Sequence, residues 1–256
     1  MSTVLLEKHE GFAIVTLNRP ESMNALSREL RRDFVAAFSA CTEDPAVRVV
    51  ILTGNGKAFC AGFDLKELGA TDASNTADEA DNVVAQAMAA FEGPIIGAIN
   101  GHCITGGFEM ALACDILIAS HNARFADTHA RVGMLPGWGL SQKLPRLIGL
   151  SRAREIAFTG APVFAQQAYE WGLVNHVVPE AELLPLAIKM AGNICSCVPQ
   201  VLAEYQTLIE DGYSMPLNEA LEWEETRAIF WEKQASGDTI EQRRQAVLQK
   251  GREERD

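Results

Sequence analysis

Apolar positions along the chain fall into short continuous runs, broken by turn residues and by segments of helical spacing. Residues 4–7 and 12–17 read as a hairpin around the polar Glu10-Gly11. Ser27, a preferred N-cap type, opens a helix to about residue 42, with Leu30, Phe34, Ala37 and Phe38 on one face. Residues 47–53, 94–99 and 115–119 read as strands, and the unbroken Val49-Val50-Ile51-Leu52 marks a strand buried on both sides. A further helix lies around residues 83–91, and the small, polar stretch 69–80 before it reads as a loop. Strands alternating with helices predict an α/β architecture with a largely parallel sheet and crossover helices.

From residue 195 the pattern is helical throughout. Leu202, Tyr205, Leu208, Leu221, Trp223, Phe230 and Trp231 are more apolar surface than a tail can bury alone. The reading is therefore a core over residues 1–194 and a helical subdomain over 195–256. No internal repeat is visible.

Two strand-to-helix junctions carry candidate chemistry. In the first, Ile95 to Ile99 leads through Asn100-Gly101 to Gly106-Gly107 and then to Glu109 among Phe108, Met110, Ala111 and Leu112. Glycines let backbone N–H groups at a helix start approach a ligand. A carboxylate in apolar company is costly unless paired or used, although a helix N-terminus also favours an acid for structural reasons. In the second junction, the strand ending at Thr53-Gly54 leads to Ala58-Phe59-Cys60-Ala61-Gly62-Phe63-Asp64-Leu65-Lys66. Two N–H groups converging from two such loops form the fixed, dry donor pair that an oxyanion needs. Two unrelated turns of an α/β protein would read the same way if taken singly.

The segments Ala58 to Glu67 and Ala98 to Asp115 resemble the two signature regions of the crotonase superfamily, the enoyl-CoA hydratase/isomerase family. The likeness extends to Val15 to Leu26, to Phe125 to Gly137 and to Ala168 to Val178, so it covers most of the chain. The resemblance implies a spiral of ββα turns followed by a C-terminal helical trimerisation subdomain, giving a homotrimer or homohexamer. It implies an acyl-CoA thioester substrate, with no cofactor other than the coenzyme A that the substrate carries. By the same resemblance, the N–H groups of Phe63 and Gly106 form the oxyanion hole. Glu109 matches the first of the two glutamates that add water across a 2-enoyl-CoA. Asn24, Ala25, Leu26, Ala61, Asp64 and Lys66 would lie along coenzyme A.

The sequence departs from the family where the second hydratase glutamate belongs. There it reads Phe125-Ala126-Asp127-Thr128-His129-Ala130-Arg131, with His129 at the aligned position. Histidine titrates near neutrality, and in an extended segment Asp127 would share its side. Either His129 or Asp127 takes over the missing acid, or the two-acid machinery is gone. Trp138 stands where the family usually has a small residue, and residues 241–246 lack the family's usual glycine and phenylalanine. Hydration of a 2-enoyl-CoA leads the readings. Double-bond isomerisation through the same enolate and acyl-CoA binding without turnover are the alternatives.

Composition narrows the field. A net charge of −12 leaves no basic stripe for nucleic acid. No apolar run reaches membrane-spanning length, and residues 1–15 lack the features of a secretory signal. Most of the six cysteines sit in apolar segments, as reduced structural cysteines do, so a cytoplasmic protein is expected. The five histidines form no metal-binding spacing, and no GxGxxG or GxSxG motif occurs.

Overall fold

The computed structural model describes residues 2–70 and 82–233, with 241, 243–245 and 248. Among these described residues, ten strands form two sheets. The six-stranded sheet has the order β1 (Val4–Lys8), β2 (Phe12–Leu17), β3 (Val49–Gly54), β5 (Ile95–Ile99), β7 (Ile116–Ser120), β10 (His176–Val178). The four-stranded sheet has the order β4 (Ala58–Cys60), β6 (His102–Ile104), β8 (Arg124–Ala126), β9 (Val163–Phe164). Of the pairings between these strands, only the β1–β2 hairpin and the β8–β9 pair are antiparallel.

The spiral is visible in this order. β3, β5 and β7 lie in the large sheet, and each hands the chain within a few residues to β4, β6 and β8 of the small one. Helices close each turn: α1 (Arg28–Thr42), α2 (Leu65–Ala70), α3 (Val83–Ala89), α4 (Gly106–Leu112) and α5 (His129–Val132). α6 (Leu140–Ile148), α7 (Leu150–Thr159), α8 (Ala165–Glu170) and α9 (Glu180–Cys195) complete the body.

The unbroken apolar run in β3 has a direct cause. Val50 and Leu52 enter the main core, while Val49 and Ile51 face the other way, onto Leu183, Ala187 and Ala191 of α9. Both faces are covered, so the run from Val49 to Leu52 is apolar throughout, and the buried Thr53 that follows donates its hydroxyl to the Ala98 carbonyl at 2.8 Å. α1 starts as its sequence requires, with Ser27 Oγ accepting the Leu30 N–H at 3.2 Å. Gly107 is fixed by close approach, since a Cβ there would lie 2.1 Å from the Cys60 carbonyl oxygen. α4 can therefore pack on β4 only without a side chain at that position. Cys60, buried beside it, has its thiol pushed up to about 12 by desolvation, which makes it unreactive.

The chain divides into two compact units, residues 1–197 and 198–256. The boundary expected after residue 194 would cut the end of α9. Cys195 instead belongs to the first unit, its Sγ donating to the Gly11 carbonyl at 3.1 Å and its own carbonyl accepting from Arg48. In the second unit α10 (Pro199–Ser214) and α11 (Leu217–Glu232) pair with each other, and Arg227 joins Glu204 and lies 5.0 Å over the Trp223 ring. Neither helix has a fully buried residue, and Tyr205, Tyr213, Leu217 and Leu221 are exposed. The loop expected at 69–80 begins inside α2 and from residue 71 lies outside the described residues, as do parts of the 241–246 segment. Among the described residues no single helix is long and apolar enough to cross a membrane.

Candidate active site

Three ionisable side chains meet in the interior of the first unit. Glu109, in the first turn of α4, is 2% exposed; Asp127, just past β8, and His129, first residue of α5, are buried beside it. His129 Nδ1 lies 2.7 Å from Asp127 Oδ1, and its Nε2 lies 3.6 Å from Glu109 Oε2. The imidazole thus stands between two carboxylates, bonded to Asp127 and turned toward Glu109 across a gap too long for a direct hydrogen bond. Asp127 Oδ1 also accepts the His129 N–H at 3.0 Å. Side and backbone contacts together hold the ring. The expected extended geometry does not occur: β8 ends at Ala126, and the aspartate reaches His129 by folding onto the start of α5.

Glu109 is held by main chain. Its Oε1 accepts the Trp138 N–H at 2.7 Å and the Leu140 N–H at 3.5 Å. Burial pushes the Glu109 carboxyl above the ordinary carboxylate range, opposed by the Trp138 N–H and by nearby His129. A stability prediction follows from the direction of that shift. The folded state binds this proton more tightly than the unfolded chain, so stability falls as pH rises from the ordinary glutamate value of 4.5 through the raised pKa. Glu109→Gln removes the buried charge. Its melting temperature is expected to exceed that of wild type at about pH 8, with the advantage shrinking toward about pH 4. Calorimetry of both proteins checks it; an advantage independent of pH would contradict it.

The two glycine-bearing loops adjoin. Gly62 has φ +83°, and a Cβ built there would lie 3.1 Å from the Gly106 nitrogen. Leu26 and Phe63 form a parallel bridge, with the Leu26 N–H donating to the Gly62 carbonyl at 2.8 Å. No hydrogen-bond acceptor for the N–H groups of Phe63 and Gly106 is found among the described residues. The Phe63 ring packs 5.3 Å from the Trp138 ring on one side and lies 5.4 Å from the Arg31 guanidinium. Trp138, whose N–H holds Glu109, is thereby in side-chain contact with Phe63 of the first glycine loop.

Thr105, immediately before Gly106, has φ 52° and ψ −110°. A β-branched residue there carries strain of about 1–3 kcal/mol. A cavity of about 400 Å³ opens beside Asp127 and His129, walled chiefly by Met134, Pro136, Leu140, Leu144 and Phe158. Among the described residues no group of three or more His, Cys, Asp or Glu is arranged for a metal ion.

The residues expected along coenzyme A are arranged unevenly. Ala25 and Leu26 run beside the Gly62–Asp64 loop, and Ala61 donates its N–H to the Met23 carbonyl at 3.0 Å. The Asn24 side chain is engaged by main chain. It is fully buried, its Oδ1 accepts the Arg19 N–H, and its Nδ2 faces the carbonyls of Asn55, Ala58 and Phe59. Its amide clamps the loops from inside. Asp64 is engaged by Arg19 at 3.2 Å, whereas Lys66 on α2 is exposed. The Trp138 and Leu140 amides that hold Glu109 escape a reading of the sequence, because a main-chain donor leaves no mark in residue type.

The ββα spiral, the two adjoining glycine loops and the buried Glu109 make up the arrangement that the crotonase resemblance implies. The comparisons agree. The sequence profile of the enoyl-CoA hydratase/isomerase family matches residues 7–251, and the chain belongs to that family. An Arabidopsis thaliana protein named "Probable enoyl-CoA hydratase 1, peroxisomal" is 45% identical over 218 residues, covering 85% of this chain and 82% of its own. A crotonyl-CoA hydratase of Syntrophomonas wolfei is 40% identical, covering 75% of each chain. Among solved structures, the enoyl-CoA hydratase of Bacillus anthracis superposes with a TM-score of 0.87 at 34% identity, over 97% of this chain and 96% of that one.

Proposed function

We propose that this protein is an enoyl-CoA hydratase that adds water to a 2-enoyl-CoA, with an Asp127-oriented His129 in place of the family's second glutamate. The observation that carries the reading is the placement of His129 Nε2 3.6 Å from Glu109 Oε2, with Nδ1 bonded to Asp127. The enzyme class is supported by the hydratase names of the relatives.

In this reading the thioester oxygen sits against the Phe63 and Gly106 amides, which take up the charge that forms when C3 is attacked. Each such donor is worth about 3–4 kcal/mol in related chemistry. Glu109, as carboxylate, accepts a proton from water as its oxygen bonds to C3. The C2–C3 π electrons move to the enolate, and His129, as imidazolium, delivers its Nε2 proton to C2. The carboxylic acid and neutral imidazole left behind return to the starting state by passing one proton from Glu109 to His129. Asp127 keeps the other ring proton on Nδ1, so Nε2 always faces the reaction. Coenzyme A runs along Ala25, Leu26 and Ala61, with the exposed Lys66 ammonium near a phosphate, and no further cofactor is required.

Exposed apolar side chains support self-association into a trimer or hexamer. Leu135, Leu150 and Phe158 are exposed in the first unit, and Tyr205 and Leu217 in the second. Sedimentation showing a stable monomer at micromolar concentration would contradict this. The six cysteines, all unpaired in the structure, suit a reducing cytoplasmic setting. Mixing the protein with crotonyl-CoA tests the function. Loss of the enoyl-thioester absorbance with formation of 3-hydroxybutyryl-CoA is expected; tight binding without turnover would favour an acyl-CoA carrier.

A further inference from the structure

Thr105 occupies backbone that threonine rarely adopts, and its hydroxyl does not do what a helix-capping hydroxyl does. At φ 52° and ψ −110° it lies where glycine is at ease, and branching at Cβ worsens the fit. An N-cap threonine ordinarily accepts an amide from the first turn of its own helix. Thr105 makes no such bond. Its Oγ1 accepts the Thr128 N–H at 3.1 Å and lies 2.6 Å from Thr128 Oγ1. The main chain adds a bond from the Thr105 N–H to the Ala126 carbonyl at 2.9 Å.

The two threonines are neighbours of the reacting groups on both sides. Thr105 directly precedes Gly106, and Thr128 stands between Asp127 and His129. Four residues after Thr105 comes Glu109, whose N–H donates to the Thr105 carbonyl at 2.9 Å. A residue needed here only for the turn would be glycine. Strain retained by a side chain whose single oxygen bridges two segments indicates a function for that oxygen.

We infer that Thr105 is a positioning residue: with Thr128 it forms a hydroxyl clasp that fixes the Asp127–His129 pair against Glu109 and the Gly106 amide. The kinetic consequence rests on the hydration reading, whereas the placement of His129 does not. The charged groups around His129 are Asp127 on its own segment, Glu109 from α4 and Arg154 from α7, which lines the same cavity. Loosening the clasp changes the distances from the imidazole to all three.

The test compares wild type with Thr105→Gly and Thr105→Ser by crotonyl-CoA kinetics and by NMR titration of the His129 imidazole. Thr105→Gly relieves the backbone but loses the clasp. Its kcat is expected to fall roughly three- to tenfold with little change in KM, as for a displaced reacting group. The His129 titration midpoint should move, and Thr105→Ser, which keeps the hydroxyl, should restore both. A purely structural role would lower thermal stability and leave the His129 titration where it is. An unchanged His129 titration in folded Thr105→Gly overturns the clasp. If wild type fails to hydrate crotonyl-CoA, the hydration reading falls by itself, and the His129 titration alone still decides the clasp.

Discussion

Glu109→Gln is expected to lower crotonyl-CoA hydration by about 10²–10⁴-fold, the range for loss of a general acid or base. The substitution leaves the surroundings intact. The oxygen of the introduced amide can still accept the Trp138 N–H that Glu109 Oε1 now accepts at 2.7 Å, so the side chain keeps its place. What disappears is the ability to take a proton from water. Because the Trp138 side chain also touches Phe63, a cruder change such as Glu109→Ala would risk moving the Phe63 loop and mixing two effects. KM is expected to change little, since in the proposed site the thioester is held by the amides of Phe63 and Gly106 rather than by Glu109. Steady-state kinetics on a folded variant check this. Wild-type turnover by Glu109→Gln would remove Glu109 from the reaction.

Much of the fold was legible because its determinants are local or periodic. Ser27 caps α1, and Val49 to Leu52 alternate between two buried faces, as a continuous apolar strand must. Gly107 was legible because the close approach of the Cys60 carbonyl excludes a side chain there. Glu109 stood out as one acid in an apolar helix. What the sequence left open depends on tertiary geometry. Asp127 and His129 are two apart, and period-two reasoning puts them on one side of a strand. The structure ends the strand first and joins them through the folded start of α5. Asn24 reads as a polar residue in a ligand-binding segment, but only the fold shows the four main-chain partners around its amide. The strain at Thr105 is invisible in residue type, because nothing in the letters Ile104-Thr105-Gly106 requires a positive φ.

The second large effect is expected at His129, and it bears on whether a histidine has replaced a glutamate. The ring is buried, fixed by Asp127 at 2.7 Å, and aimed at Glu109. If it delivers the proton to C2, removing it leaves the enolate without its acid while the oxyanion pair and Glu109 stay in place. The cost then lies in kcat. Solvent water can protonate the enolate slowly, so the loss should be at least about tenfold and can approach the 10²–10⁴ typical of such groups. His129→Glu would put the family's usual acid in the same place and is expected to retain more activity than the alanine variant. The most direct measurement is kcat for crotonyl-CoA hydration by folded His129→Ala at neutral pH, compared with wild type. A loss of at least about tenfold is the expected result; a rate within a few-fold of wild type would contradict the assignment of His129 as the second acid.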